Sequence, residues 1–471
     1  MADLPIPVGF RAETLQQVVR LLRSGESCAV VGVGSSGKSN VARHLARADV
    51  RQEYFGPEAA SSLVIYLNCK PFALRPPHDL YLHALDQIAR ALAEHEGELP
   101  AQLPAQQPAI EGLWQAAEAQ PEALARRNLD QGVGKLVQAG ARHIVFVLDD
   151  CDDLFALAPP VLFSDLRGLR DNYKQVLVYL TLTRREPVFL RANTPEFEEI
   201  FELLSAPGHT IPVAPYVAVD GLLMLRRLAQ RQVPPRALTE AEALRLNELA
   251  GGHAGLLRAV FFATQYNPAL AADSQSSENW VHVADHPDVE AECGKIWASL
   301  EPEEQADLAL VARGETPGHD GARRLERRGL VRVHLKGRYE IFAPIFERCL
   351  NSMTKAGPAK QPHTNSDHTG VEFVGLGRQV RAGGSLVTLL APEYDILRCL
   401  TTSRPEPCSR LQLIEAMRLA EHVERSEKIA GNPLRRLHEY IRQLKAKLGP
   451  AGALIQPSSD GYRLAEAERA E

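Results

Sequence analysis

Long apolar runs are what this 471-residue sequence most plainly lacks. No stretch approaches the roughly 18–20 consecutive apolar residues that a membrane-spanning helix needs, and the N-terminus shows no basic-then-apolar secretion pattern. Cys28, Cys69, Cys151, Cys293, Cys349, Cys399 and Cys408 form no C-x-x-C pair, and no histidine stands at zinc spacing from them. Their odd number and irregular spacing exclude a regular disulfide framework and read as reduced thiols. No internal repeat with a period of roughly 20–50 residues is present. No nuclease, protease or glycosidase constellation is visible. Positive charge is not in excess either: 53 Lys+Arg stand against 59 Asp+Glu, a net charge of -6, which argues against bulk nucleic-acid binding. What remains is the composition of a soluble, cytoplasmic protein with no membrane partner, long enough for about three domains at roughly 100–200 residues each.

The charge is uneven. Residues 371–471 carry 15 Lys+Arg against 13 Asp+Glu, and the rest of the chain 38 against 46. The C-terminal hundred residues could therefore meet DNA where the rest would not. Within residues 1–205, four short apolar runs (28–31, 63–67, 144–148 and 176–181) alternate with helical stretches. Continuous runs rich in Val, Ile, Leu and Tyr suit strands buried on both faces of a parallel sheet, joined by helical crossovers. The stretch 95–110, rich in Glu, Gln, Ala and Pro, reads as a surface loop between helices. Residues 206–270 turn helical, with a glycine-rich break at 250–255. Residues 285–350 read as helices followed by a hairpin across Lys336-Gly337, and residues 351–370 as a linker. A last compact domain occupies 371–466.

The chemistry concentrates at Gly32-Val33-Gly34-Ser35-Ser36-Gly37-Lys38-Ser39, which fits G-x-x-x-x-G-K-[ST] at every fixed position. An apolar strand precedes it and a helix follows. Glycines let the backbone fold closely around phosphates, while successive N–H groups and the helix N-terminus offer partial positive charge to a polyanion. In this arrangement Lys38 reaches the β- and γ-phosphates, the Ser39 hydroxyl holds Mg²⁺, and Asn40 completes the cofactor-binding stretch. The run 144–148 ends in Asp149-Asp150. A carboxylate at a strand end can hold Mg²⁺ through water and its neighbour can polarise the attacking water; Asp149 takes the first role and Asp150 the second, although an exchange of roles is open. The strand at 176–181 leads to Thr183 and Arg184, either a γ-phosphate sensor or a solvated loop.

The order of P-loop, strand ending in Asp-Asp and strand ending in Thr-Arg resembles the STAND and origin-recognition-like branch of AAA+ ATPases. Val8-Gly9-Phe10-Arg11-Ala12-Glu13 resembles that group's V-G-R-x-x-E segment, with Phe10 as an extra residue. Leu249 through Leu257 resembles its G-G-H-P-x-x-L lid motif, with Ala254 in place of proline. The resemblance, over about 5–350, implies an α/β P-loop NTPase fold with a parallel sheet and flanking helices, a helical lid and a winged helix at 285–350. It also implies ATP and ADP as ligands with Mg²⁺, slow hydrolysis, and ATP-dependent self-association.

In the last domain, Asn432-Pro433 starts a helix that runs to Leu448. Leu434, Leu437, Ile441, Leu444 and Leu448 form one apolar face, and Arg435, Arg436, Arg442, Gln443, Lys445 and Lys447 the other. By itself that polar face suits DNA, plain solvation or a protein partner. The segments Leu386–Leu397, Ser409–Leu413, Ile441–Leu448 and Ile455–Leu464 together resemble the OmpR/PhoB-type α+β winged-helix domain. That resemblance implies insertion of the 433–448 helix into the major groove of duplex DNA. Two departures stand out: Pro457-Ser458-Ser459-Asp460 lacks the usual wing arginine, and the segment 420–431 is long and charged. In relatives that loop can contact RNA polymerase, a further expected partner. The joint expectation is a transcription regulator gated by ATP; alternatives are an anti-phage conflict ATPase and a DNA-remodelling or transposition helper.

Overall fold

The computed structural model describes residues 4–465 apart from 96, 192–194, 233, 267–282, 335–337, 356–370, 375–378, 383–384, 403–406, 415–416, 418–432 and 459–460. It contains two compact units. One comprises Met1–Ala284 with Lys295–Asn351, the other Asp285–Gly294 with Ser352–Glu471.

The first unit is built on a five-stranded sheet: β1 (Cys28–Val31), β2 (Ser62–Asn68), β3 (His143–Asp149), β4 (Leu177–Thr183) and β5 (Thr210–Pro212). The order is β2-β3-β4-β1-β5 with every neighbouring pair parallel. All residues of β1, β3 and β4 are buried, as continuous apolar runs require when helices cover both faces. Ile144, Phe146 and Leu148 enter one core with the helices Pro77–Glu94, Pro121–Gln138 and Pro160–Asn172. Val145 and Val147 enter the other, with Ala12–Arg23, Lys38–Leu45 and Ala48–Phe55. This flanked parallel sheet is the architecture of a P-loop NTPase, as expected.

Two local expectations are corrected. Residues 95–110 are not a plain surface loop: a helix, Gln107–Ala119, begins inside them, and Leu99, Leu103 and Ile110 are buried in the first core. These three apolar side chains outweigh the polar and Pro-rich composition around them. The fifth strand, β5, was not anticipated and lies within the range expected to be helical. It has three residues, too few for a periodicity, and its proline sits on an edge strand where no ladder donor is needed.

Beyond the sheet come the helices Ala218–Gln230, Glu240–Ala250 and Ala254–Tyr266. Gly251 ends the second with φ 59°, and a β-carbon there would lie 2.3 Å from the Phe342 carbonyl oxygen, so the close approach of Phe342 needs glycine. Within Lys295–Asn351, the Pro302–Ala312 helix starts with a capping box between Glu301 and Glu304. The His319–Arg327 helix and the antiparallel pair β6 (Val331–Val333) and β7 (Tyr339–Ile341) follow. The helix Pro344–Lys355 runs five residues into the stretch expected to be linker; the remainder of that stretch, like Lys336-Gly337, lies outside the described residues.

The second unit has an antiparallel sheet of β8 (Val371–Val374), β9 (Gln379–Ala382) and β10 (Ser385–Thr388). The helix Ala391–Thr402, β11 (Cys408–Ser409), the helix Pro433–Leu448, β12 (Ile455–Pro457) and β13 (Gly461–Leu464) complete it. The second sheet runs β11-β13-β12. Leu437, Ile441, Leu444 and Leu448 are buried together with Ile396, Leu397, Leu400, Ile455 and Leu464, and Leu434 packs at the edge, so the apolar stripe of the 433–448 helix is a core face. The segment 420–431 and residues Ser459-Asp460 lie outside the described residues. Among the described residues no helix is long and apolar enough to cross a membrane.

Candidate functional site

The G-x-x-x-x-G-K-S loop connects the C-terminal end of β1 to the helix Lys38–Leu45. Its entry is anchored by the Gly32 N–H donating to the Thr183 carbonyl at 3.1 Å. Gly37 holds φ 91°, and a β-carbon there would stand 2.8 Å from the Tyr216 hydroxyl, so this turn requires glycine. Ser35 also adopts a left-handed conformation, φ 56°. The Lys38 ammonium donates to the loop's own carbonyls, Gly32 at 2.7 Å and Val33 at 3.2 Å. Burial pushes Lys38 down to about 8, against the pull of Asp152, Asp149 and Asp150.

Other elements clasp the loop. The Gly34 N–H donates to the Ser299 hydroxyl at 3.1 Å. The Gly34 carbonyl lies 3.0 Å from His253 Nε2, and the Ser35 carbonyl accepts from the Gly255 N–H at 3.0 Å. Asn40 Nδ2 donates to the Tyr216 hydroxyl at 3.1 Å. Arg11 has its guanidinium 4.0 Å above the Tyr216 ring and donates to the Ser36 carbonyl at 3.0 Å and the Ala214 carbonyl at 2.5 Å. Its own N–H goes to Asp220 at 3.1 Å. Arg11, Tyr216, Asp220 and Ser299 carried no role in the sequence reading. Only Arg11 gave a signal, through the V-G-F-R segment; the others arrive from 176 to 265 residues away along the chain.

The acidic side of the site is built at the ends of β3 and β4. Asp149 is buried and accepts a hydrogen bond from the Tyr66 hydroxyl of the neighbouring strand β2. Burial and Asp149 together push the Tyr66 phenol well above its ordinary value, so it stays a neutral donor. The Ser39 side chain lies beside the same hydroxyl and pulls its pKa slightly the other way. Asp150 is exposed, with φ 52°, and its N–H donates to Asp149 Oδ1 at 2.9 Å. Asp152 is buried and receives the Arg184 N–H at 2.9 Å, with the Arg184 guanidinium 3.4 Å away. Thr183 is fully buried, and its hydroxyl has no hydrogen-bond partner. Ser39 and Asp149 are hard oxygen donors brought to one tyrosine hydroxyl, a donor set that suits Mg²⁺.

On the second unit, the polar face of the Pro433–Leu448 helix is tied internally. Arg442 donates to Glu439 at 3.1 and 2.6 Å, and Gln443 to the same carboxylate at 2.8 Å. The Lys447 ammonium donates to Glu393 at 2.6 Å. Glu393 is fully buried and also accepts the Leu390 N–H at 2.7 Å, so Lys447 holds a structural carboxylate. Arg436 and Lys445 are half-buried. The side chain of Arg435 lies outside the described residues.

A strand-borne phosphate loop with acids at the end of β3, one strand removed from β1, has a counterpart among known families. Residues 8–190 match the AAA ATPase domain. That segment begins at Val8, includes the loop, Asp149 and Arg184, and implies nucleotide binding, typically with Mg²⁺. Among solved structures, a Walker-type ATPase of Pyrococcus abyssi is similar at 15% identity and TM-score 0.44, covering 72% of this chain and 95% of that one. Cdc6p from Pyrobaculum aerophilum is similar at 14% identity and TM-score 0.34, covering 75% and 96%. The Aeropyrum pernix Orc1 protein, in a structure with DNA, is similar at 15% identity and TM-score 0.34, covering 74% and 95%. No curated protein matches the chain.

Proposed function

We propose that this protein is an ATP-binding and slowly hydrolysing switch that regulates transcription by nucleotide-gated binding of duplex DNA. The observation that carries the nucleotide half is the G-x-x-x-x-G-K-S loop at the end of β1 with Asp149 and Thr183 at the ends of β3 and β4. In this reading the residues 32–40 receive the phosphates, Lys38 neutralises the β- and γ-oxygens, and Ser39 and Asp149 hold Mg²⁺. Asp150, exposed at the same strand end, polarises water. Arg184, held by Asp152, senses the third phosphate.

The DNA half is supported by the helix Pro433–Leu448 and the β12–β13 hairpin that follows it, an arrangement that suits a winged helix of the OmpR/PhoB type. Arg442 and Gln443 pair with Glu439 at the surface, and such exposed pairs exchange readily because they are worth little. They can therefore turn to base edges or phosphates. Lys445 and Arg436 add charge beside them. The binding of a single domain is weak, and ATP-driven self-association raises it through effective concentration.

The test compares wild type with Lys38→Ala in ATP, selecting bound sequences from a random duplex library at about 0.15 M salt, a concentration that screens exposed charges beyond roughly 8 Å. Enrichment of one motif by the wild type and its loss in the variant support the switch. ATP-loaded, folded wild type that enriches no motif refutes the regulator reading and favours a protein-docking C-terminal unit.

A further inference from the structure

The C-terminal unit holds a pair of thiols that neither the nucleotide site nor the DNA reading uses. Cys399 lies in the last turn of the helix Ala391–Thr402, and Cys408 opens β11. Their sulfur atoms are 3.4 Å apart, and Cys408 Sγ is 3.3 Å from the Cys399 carbonyl oxygen. We propose that Cys399 and Cys408 are a modification site: they close into a reversible intramolecular disulfide when the protein meets a low-molecular-weight disulfide oxidant.

A disulfide needs its sulfurs at about 2.05 Å, so the pair must close by a little over 1 Å, within the reach of side-chain rotation. Cys408 is fully buried, whereas Cys399 is half-buried. Cys399 therefore meets the oxidant. Its thiolate attacks one sulfur of oxidised glutathione, forming a mixed disulfide and expelling one glutathione thiolate. The Cys408 thiolate then attacks Cys399 Sγ, forming the internal bond and expelling the second. Two electrons pass from the protein thiols to glutathione, and the two thiol protons end on the two glutathione molecules released. Burial, and the hydrogen bond with Cys408, push the Cys399 thiol up to about 12. The thiolate fraction at neutral pH is small and the exchange correspondingly slow.

The bridge has a structural consequence. The helix Ala391–Thr402 packs on the helix Pro433–Leu448 and on β13, and β11 pairs with β13. A covalent tie from that helix to β11 locks helix and sheet together and lowers the entropy of the unfolded unit. Oxidation should therefore raise the unfolding temperature of this unit, and reduction should reverse it.

The experiment uses the reduced full-length protein, incubated with oxidised glutathione at mildly alkaline pH, alkylated and digested with trypsin. Arg404 precedes Pro405, where trypsin does not cut, so Cys399 and Cys408 share the peptide 399–410. The expected result is this peptide lighter by two hydrogens, unalkylated, and restored to two alkylated cysteines by dithiothreitol. Cys399→Ser, a near-isosteric change at a half-buried position, should abolish the loss. A parallel incubation with diamide removes oxidant strength as the limit. Recovery of the peptide with two alkylated cysteines after diamide overturns the proposal, as does one glutathione on each cysteine or a cross-link from either to a different peptide.

Discussion

The Tyr66 hydroxyl on β2 donates to the Asp149 carboxylate at the end of β3 and lies beside the Ser39 side chain on the loop helix. One neutral phenol thus links the two oxygen ligands assigned to Mg²⁺. Partners of this kind orient ligands rather than bind the ion. Tyr66→Phe should lower the Mg²⁺ affinity of the nucleotide complex roughly 10–100-fold while leaving Mg²⁺-free nucleotide binding unchanged. Titrating Mg²⁺ against a fluorescent ATP analogue reads both; an unaltered Mg²⁺ dependence removes Tyr66 from the site.

Lys38 sits near 8 because it is buried. A triphosphate stabilises the ammonium form and raises its pKa. Below about pH 8 the ammonium is present before and after binding, so no proton moves. Above it the free protein holds the neutral amine, binding must take up a proton, and ATP affinity falls as pH rises. Calorimetry at pH 9 in buffers of different ionisation enthalpy should detect that uptake, and Lys38→Ala should abolish binding. Affinity that stays constant from pH 7 to 9.5 would contradict this account.

Ser299 accepts from the Gly34 N–H and donates to the Ile296 carbonyl at 2.6 Å. A phosphate oxygen placed on that amide must displace the hydroxyl. Ser299→Ala removes the competitor, so ATP should bind tighter by about 0.5–1.5 kcal/mol, the net worth of one hydrogen bond. Weaker binding in a folded Ser299→Ala protein would show that the hydroxyl supports the loop instead.

Lys447 and Arg442 lie on one helix but should respond differently. Lys447→Ala leaves the fully buried Glu393 without its cation and should destabilise the C-terminal unit by about 1–3 kcal/mol, at the low end because the lysine is partly exposed. Arg442→Ala, at an exposed pair, should leave stability nearly unchanged yet weaken duplex binding. Denaturant unfolding beside a binding titration checks both. Equal destabilisation would mean that the Arg442 pair is structural.

The phosphate loop, four of the five strands and the apolar face of the 433–448 helix were legible in the amino-acid sequence. Each is a local pattern: a fixed motif, a continuous buried run, or a 3-and-4 spacing that packing then follows. β5 escaped because three residues carry no period, and the first turn of the Gln107–Ala119 helix because the polar, Pro-rich composition before it hid the buried Leu99, Leu103 and Ile110. The partners of the loop were set by the fold. Tyr66, Tyr216 and Ser299 reach it because parallel strands and chain return bring remote backbone segments within 3 Å or so of the same amides and carboxylates. It also made Lys447 a structural ion-pair partner rather than one more basic side chain on a polar face, because that depends on a carboxylate buried across the core, 54 residues away in sequence.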